Sequence, residues 1–273
     1  MGDETVLFEI ADGVGTITLN RPERMNAVTW GMASGLVELL REIRLNEEVR
    51  VVVLTGAGGR AFCAGGDVEW ISGESDTPIP GLGEGPIPRH QRKTPGGPFT
   101  ELTRMLIEVD KPVIAAITGV AVGAGLAWAL ACDRRIADRT ARMSAIFVKR
   151  GLSPDCGLTY FLPRIVGLPK ALWMVETGAM LDAEACQEAG LIDQLVEEGE
   201  ALAAAKGYAR ELARGASVAV DLGRRFVHKS LTSTLEEMLD YEAVASTMTA
   251  STEDAKEGTT AFMEKRPPEF KGL

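Results

Sequence analysis

Residues 112–130 read P-V-I-A-A-I-T-G-V-A-V-G-A-G-L-A-W-A-L, and this stretch decides the fold. Its first part is a short, continuous apolar run ending at Thr118, which is typical of a strand covered on both faces. A glycine-rich turn and then an apolar helical segment follow. Residues 49–56, V-R-V-V-V-L-T-G, repeat the strand and are also followed by glycines. Strands of this kind that alternate with helices predict an α/β core.

The flanking segments extend this core. V-L-F-E-I (residues 6–10) and V-G-T-I-T-L (residues 14–19) surround an Ala-Asp-Gly turn and predict a β-hairpin. Apolar residues at helical spacing between Thr29 and Glu47 predict an amphipathic helix, which Thr29 can cap.

Two later segments differ in composition from the core. Residues 72–98 are dense in proline and glycine, and so predict a long flexible loop that could close over a functional site. The chain from Ala201 onward is rich in alanine and charged residues and lacks proline until Pro267, which predicts helices. We therefore expect a core at residues 1–200 and a C-terminal helical region at residues 201–273.

Composition excludes several classes of function. The chain has 273 residues and a formal net charge of -10, which disfavours nucleic-acid binding. No segment is apolar over the length of a membrane span, and the N-terminus M-G-D-E-T-V lacks the features of a secretion signal, so a cytoplasmic protein without membrane contact is expected. Four isolated cysteines and two histidines predict neither a metal site nor disulfides; His90 and His228 are expected at the surface.

The two glycine-rich turns could form one site. They read T-G-A-G-G-R-A-F-C-A-G-G-D-V (residues 55–68) and T-G-V-A-V-G-A-G-L-A-W-A-L (residues 118–130). The first is a loose match to a dinucleotide fingerprint, but no apolar helix and acid follow at the required spacing. Small residues at strand-to-helix turns leave backbone amides uncovered, so two such turns could form an oxyanion hole. The alternative is that small residues only allow close packing.

Asp155 lies in G-L-S-P-D-C-G-L-T-Y-F-L-P-R (residues 151–164). An oxygen-bearing side chain before an apolar helix is an ordinary N-cap. The alternative is a carboxylate in a poorly hydrated pocket, where it could take a proton from a substrate.

Seven segments, in this order, resemble the crotonase superfamily, the enoyl-CoA hydratase/isomerase group. They are N-R-P-E-R-M-N-A-V, R-A-F-C-A-G-G-D-V, V-I-A-A-I-T-G-V-A-V-G-A-G-L, A-C-D-R-R-I-A, G-L-S-P-D-C-G-L-T-Y-F-L-P-R-I-V-G, A-C-Q-E-A-G-L-I-D and E-G-T-T-A-F-M-E-K-R-P-P-E-F. The resemblance implies an α/β fold, a crotonase-like spiral of ββα units with a C-terminal helical region that forms trimers, in a homotrimer or hexamer. It implies an acyl-CoA thioester substrate, with coenzyme A as part of the substrate and no separate cofactor.

The resemblance also implies roles for individual residues. The amides of Gly66 and Ala124 would bind the thioester oxygen. Two groups would contact coenzyme A: Arg24, Met25, Ala27, Ala61, Ala64 and Gly65 in the two loops, and Phe262 and Lys265 near the C-terminus, in some members on a neighbouring subunit.

The sequence departs from the hydratases of this family at two positions. Ala127 and Phe147 stand where those enzymes hold water between two glutamates, so we expect weak hydration or none. Asp155 matches an acidic position of the isomerases and dehalogenases. The resemblance therefore favours a double-bond or ring isomerase with Asp155 as proton shuttle. The alternatives are dehalogenase-like or hydrolytic attack by Asp155, residual hydration, and a non-catalytic acyl-CoA-binding protein.

The remaining expectations concern packing. Trp70, Leu126, Trp128 and Phe147 are candidates for the wall of the acyl pocket, and Trp30 and Trp173 are expected to pack in helices. Asp67 is expected to cap the helix that follows it.

Overall fold

The protein was analysed as a computed structural model, which describes residues 5–67 and 96–272. Its first two strands, β1 (Val6–Ala11) and β2 (Val14–Leu19), pair in antiparallel fashion. Asp12 and Gly13 join them, with φ angles of 53° and 76°. Aspartate and glycine tolerate this left-handed backbone, so the predicted hairpin is confirmed with the turn residues expected for it.

Two sheets form the centre of the described chain. The larger adds β3 (Val51–Gly56), β5 (Val113–Ile117), β7 (Arg134–Asp138) and β9 (Gln194–Val196) in the order β1-β2-β3-β5-β7-β9, parallel from β2 onward. The smaller contains β4 (Ala61–Cys63), β6 (Val120–Val122) and β8 (Arg142–Ser144), all parallel.

The chain alternates between the sheets in a repeated pattern. Each of β3, β5 and β7 is followed directly by a strand of the smaller sheet, and β6 leads into helix α3 (Ala124–Ala131). Strands β3 and β5 are buried almost throughout, as strands covered on both faces must be. This stacking confirms the predicted spiral of ββα units, and it places the turns that follow β4 and β6 side by side.

The helices cover the sheets. Thr29 caps helix α1 (Trp30–Leu45), as predicted, and the apolar face of α1 packs on the core. The loop predicted at residues 72–98 overlaps the start of helix α2 (Gly97–Glu108). Phe99, Leu102 and Leu106 supply the buried face of this helix. Residues 68–95 of that loop lie outside the described chain. Helices α4 (Leu158–Val166), α5 (Leu168–Thr177) and α6 (Ala183–Glu188) follow β8.

The region from Ala201 is helical, as predicted, and contains α7 (Ala201–Ala213), α8 (Ser217–Ser230), α9 (Leu235–Ala250) and α10 (Glu253–Glu264). Helix α7 covers the outer face of the larger sheet, where Ala205 and Ala209 pack with Val53 and Ile114. Alanines at four-residue spacing let the helix approach closely. The division at residue 200 stays a prediction, since α7 shares this core with the strands.

Two predictions about individual side chains were wrong: His228 was expected at the surface, and Trp173 was expected to pack in a helix. His228 is half-buried, and its Nε2 lies 2.8 Å from Asp133 Oδ1. Trp173 lies in α5, but 46% of it is exposed. No helix in the described part of the chain is long and apolar enough to cross a membrane.

Candidate active site

Two loops of the predicted coenzyme A region are joined by main-chain hydrogen bonds. We call residues 21–28 the Arg21 loop and residues 63–67 the Gly65 turn. The Ala64 amide donates to the Met25 carbonyl at 3.0 Å, and the Val28 amide donates to the Gly65 carbonyl at 2.8 Å. The structure therefore brings together the residues predicted in these two segments, although they lie about forty positions apart in the chain.

Asn26 holds the Arg21 loop in place. It is fully buried with a φ of 53°, and its side-chain amide donates to the carbonyls of Ala57 (2.9 Å) and Ala61 (2.7 Å). Its side-chain oxygen accepts from the Arg21 amide at 3.0 Å. Sequence reasoning missed this role, although an asparagine inside a tight loop is a frequent left-handed residue.

Asp67 pairs with Arg21. The Arg21 guanidinium donates to the Asp67 carboxylate at 2.7 Å and to the Ala27 carbonyl at 2.7 Å. The two partners are largely buried, so this ion pair joins the Arg21 loop to the end of the Gly65 turn. The segment that Asp67 was expected to cap lies outside the described residues.

The turn that carries Gly66 lies against Ala124, the other predicted oxyanion donor. A β-carbon placed on Gly65, whose φ is +91°, would lie 3.4 Å from the Ala124 nitrogen and 3.1 Å from the Val122 carbonyl oxygen. Within residues 5–67 and 96–272, neither the Gly66 amide nor the Ala124 amide donates to a protein acceptor. Ala124 begins α3, where the first amides have no partner inside the helix. Two turns from different ββα units, each with an available amide, thus lie next to each other.

Cys63 and Gly125 explain why the chain approaches itself so closely here. A β-carbon on Gly125 would lie 2.3 Å from the Cys63 carbonyl oxygen, so only glycine fits at that position. The Gly65 amide donates to Cys63 Sγ at 3.4 Å. Burial raises the pKa of the Cys63 thiol to about 12, more than the Gly65 hydrogen bond lowers it. Cys63 is therefore a packing residue and not a nucleophile.

Phe147 packs against the second turn. Its ring lies 3.9 Å from the point where a β-carbon would stand on Gly123, and only 7% of the residue is exposed. The Phe147 carbonyl accepts from the Leu152 amide at 3.1 Å, which starts the loop of residues 151–157, here called the Asp155 loop. Phe147 thus connects the oxyanion turn to the loop that holds the candidate base.

Within the described chain, Asp155 does not cap a helix. Helix α4 has Gly157 as its N-cap, and the Asp155 main-chain carbonyl is what accepts from the Leu158 amide, at 3.0 Å. Burial raises the pKa of the Asp155 carboxyl, while a hydrogen bond from the Cys156 thiol lowers it. The residue keeps more than a third of its surface exposed, so the carboxylate is accessible to a ligand despite its partial desolvation.

The far end of the Asp155 loop is buried. Cys156 is 3% exposed and belongs to the same apolar core as Cys63. Burial, together with the charge of Asp155, raises the pKa of the Cys156 thiol. The Cys156 carbonyl accepts from Thr103 Oγ1 at 2.9 Å, so helix α2 holds this end of the loop.

The other predicted site residues have mixed outcomes. Leu126 is fully buried and Trp128 is 2% exposed, so both belong to the core in this structure and offer little surface to an acyl group. The Trp128 indole donates to the Phe99 carbonyl at 3.4 Å. Trp70 and His90 lie outside the described residues.

Phe262 and Lys265 are at the end of α10, and Phe262 is 84% exposed. Within the part of the chain that the structure describes, no hydrogen bond or ion pair joins either residue to the Arg21 loop or the Gly65 turn. Their contact with coenzyme A stays a prediction.

The spiral of ββα units, with adjacent backbone amides at two neighbouring turns, defines a crotonase-type fold. A family model described as enoyl-CoA hydratase/isomerase matches residues 9–273. The 1,2-epoxyphenylacetyl-CoA isomerase of Escherichia coli K12 is 37% identical over 98% of this chain and 99% of that protein. The (E)-benzylidenesuccinyl-CoA hydratase of Thauera aromatica is 35% identical over 98% of this chain and 99% of its own length.

A solved structure gives the same result. The enoyl-CoA hydratase from Bacillus anthracis superposes with a TM-score of 0.88 at 30% identity, covering 99% of this chain and 100% of that one. The chain belongs to the enoyl-CoA hydratase/isomerase family of the crotonase superfamily, whose members act on acyl-CoA thioesters.

Proposed function

We propose that this protein is an isomerase that moves a double bond, or rearranges a ring, in an acyl-CoA thioester, with Asp155 as the proton shuttle. One observation carries the proposal: Asp155 is accessible and caps no helix of the described chain. The family resemblance adds that Ala127 and Phe147 stand at the two positions where hydratases have glutamates. A single carboxylate beside an oxyanion hole suffices for a 1,3-proton shift.

The reaction then proceeds through an enolate. The ionised Asp155 takes a proton from the α- or γ-carbon, and the electron pair of the broken C–H bond moves onto the thioester oxygen. The Gly66 and Ala124 amides stabilise that oxygen, and each donor of this kind contributes about 3–4 kcal/mol in the transition state. Asp155 returns a proton to the other end of the conjugated system, so no proton or electron is gained or lost overall.

Hydration needs side chains that orient and deprotonate a water molecule, and among the described residues neither Ala127 nor Phe147 provides one. The methyl group of Ala127 is fully buried and the Phe147 ring is apolar, so neither can orient or deprotonate a water molecule. The name of the E. coli relative supports isomerisation of a ring-bearing substrate, and the name of the T. aromatica relative makes hydration the main competing outcome.

Coenzyme A would lie along the joined loops, against Arg24, Met25, Ala27, Ala61, Ala64 and Gly65. We also propose a homotrimer or hexamer in which Phe262 and Lys265 reach the coenzyme A of a neighbouring subunit. Large apolar side chains on α8, α9 and α10 support subunit contact: Val227 is 70%, Leu235 69% and Met263 78% exposed. Light scattering of the purified protein tests the assembly.

A panel of 2-enoyl-, 3-enoyl- and aryl-CoA thioesters tests the function, with wild type, Asp155→Asn and Asp182→Asn in parallel. Asp182 is a matched control because its carboxylate does cap a helix, accepting from the Ala185 amide at 3.0 Å. We expect isomerised product from wild type and Asp182→Asn, and none from Asp155→Asn. Three outcomes would contradict the isomerase assignment. Rapid formation of 3-hydroxyacyl-CoA would indicate a hydratase, halide release from haloaryl-CoA would indicate a dehalogenase, and tight binding without turnover would indicate an acyl-CoA-binding protein.

A further inference from the structure

Helix α2 contacts both halves of the candidate site. Near its start, the Phe99 carbonyl accepts from the Trp128 indole of α3, and the two rings lie 5.5 Å apart. One turn later, Thr103 Oγ1 donates to the Cys156 carbonyl at 2.9 Å. A weaker contact joins the same hydroxyl to the Phe99 carbonyl at 3.4 Å. A single helix therefore holds the oxyanion helix and the Asp155 loop in register.

The backbone that Thr103 contacts is in an unfavourable conformation. Cys156 has a φ of 51° and Gly157 a φ of 81°, so two successive residues are left-handed. A residue with a β-carbon pays a steric cost there and keeps this conformation only when its surroundings hold it. Cys156 is 3% exposed, and the Thr103 hydroxyl satisfies its buried carbonyl.

Asp155 directly precedes this left-handed pair in the chain, and its own main-chain carbonyl accepts from the Leu158 amide at 3.0 Å. The direction in which the Asp155 side chain leaves the loop is therefore set by the backbone that Thr103 holds.

We propose that Thr103 is a positioning residue for the base: its hydroxyl fixes the left-handed backbone at Cys156, and this backbone sets the direction of the neighbouring Asp155 carboxylate. This inference rests on the proposed function of Asp155. Sequence reasoning assigned no role to Thr103, and its side chain is not expected to touch the substrate.

The test measures kcat and KM for Thr103→Val and Thr103→Ser. Thr103→Val should lower kcat about tenfold with little change in KM, because a misdirected base loses rate and not affinity. Thr103→Ser keeps the hydroxyl donor and should retain the wild-type kcat.

Thr55→Val is the matched control, since Thr55 Oγ1 also donates to a buried carbonyl, that of Ala116, at 3.0 Å. It should lose similar stability and keep its kcat. Equal kcat values for Thr103→Val and Thr55→Val would overturn the inference. If Thr103→Val does not fold, Thr103→Ala and Thr103→Ser decide by the same criterion. The proposed function is tested separately, and it fails if Asp155→Asn turns over substrate at the wild-type rate.

Discussion

The backbone nitrogen of Ala124 lies 3.4 Å from the point at which a β-carbon would stand on Gly65. The two residues are 59 positions apart, on turns of successive ββα units, and meet because β4 and β6 are neighbours in the smaller sheet. A methyl group at Gly65 would therefore project toward the place where the Gly66 and Ala124 amides are proposed to bind an oxygen.

We expect Gly65→Ala to lower kcat/KM about 100-fold, in line with the loss of one oxyanion donor. Gly65 has a φ of +91°, so alanine is strained there, and it is also crowded by the Val122 carbonyl at 3.1 Å. Gly59→Ala is the control, because Gly59 has a φ of +67° and, within the described chain, no atom within 4 Å of the point where its β-carbon would stand. Urea unfolding separates strain from catalysis: equal losses of activity in both variants would count against the oxyanion assignment.

Asn26→Ala should destabilise the fold and weaken binding of acyl-CoA. The substitution leaves the buried Ala61 carbonyl and the partly buried Ala57 carbonyl without their side-chain donor, and an unsatisfied buried group costs about 1–3 kcal/mol. We therefore expect a loss of about 3 kcal/mol in the free energy of unfolding and a higher KM. Asn46→Ala removes only an exposed bond to the Glu48 amide and should change stability by less than about 0.5 kcal/mol. A stable Asn26→Ala variant with normal KM would show that the Arg21 loop needs no such clamp.

The lowered pKa of Asp133 should make the free energy of unfolding depend on pH. Burial raises the pKa of its carboxyl, but hydrogen bonds from His228, Arg224 and the Val113 amide outweigh burial and lower it. A lowered folded-state pKa stabilises the protein above the unfolded value, and this stability is lost as the pH falls through the folded value. At pH 7, Asp133→Asn should cost about 3 kcal/mol, because Arg224 is left buried without its charge partner.

Asp110→Asn is the comparison, since Asp110 is about as exposed as Asp133 but pairs with the half-exposed Arg44 and Arg225. It should cost at most about 1 kcal/mol. The difference in the free energy of unfolding between wild type and Asp133→Asn should become smaller only in acid, below the ordinary aspartate pKa of about 4. A constant gap from pH 7 to pH 3 in urea titrations would contradict this account.

Local signals predicted most of the fold. The hairpin, the buried strands around Val51 and Val113 and the Thr29 cap each depend on a few consecutive residues, and all were found. The two glycine-rich turns were predicted from their position after buried strands, where glycine has a specific conformational reason. The choice of Gly66 and Ala124 as oxyanion donors came from the family resemblance and stays a prediction.

The bond between Thr103 and Cys156 joins residues 53 positions apart, and neither belongs to a pattern that predicts the other. The hydrogen bond between His228 and Asp133 similarly depends on how α8 packs onto Asp133. The packing of one element onto another is set by the tertiary structure and leaves no local signal in the sequence. The sequence alone therefore predicted a surface histidine. The exposure of Trp173 has the same origin, since helical spacing does not say which face of α5 meets the core.

Asp155→Asn should be at least as stable as wild type at neutral pH. Burial raises the pKa of the Asp155 carboxyl above its unfolded value, beyond the opposing effect of Cys156. The stability linked to this group is fully present below the unfolded pKa and falls as the pH rises through the folded pKa. Wild type should thus lose stability relative to Asp155→Asn as the pH rises above the ordinary aspartate pKa of about 4. A variant that is clearly less stable at pH 7 would indicate a structural role for the carboxylate.

The most direct test of the central claim is exchange of substrate hydrogen with solvent. In D₂O, wild type should place deuterium at the α-carbon when it isomerises a 2-enoyl-CoA and at the γ-carbon when it isomerises a 3-enoyl-CoA, because the acid form of Asp155 exchanges with solvent before it returns the proton to the other end of the conjugated system. Asp155→Asn, folded and still binding the thioester, should incorporate none. Deuterium incorporation by Asp155→Asn at the wild-type rate would contradict the assignment of Asp155 as the base.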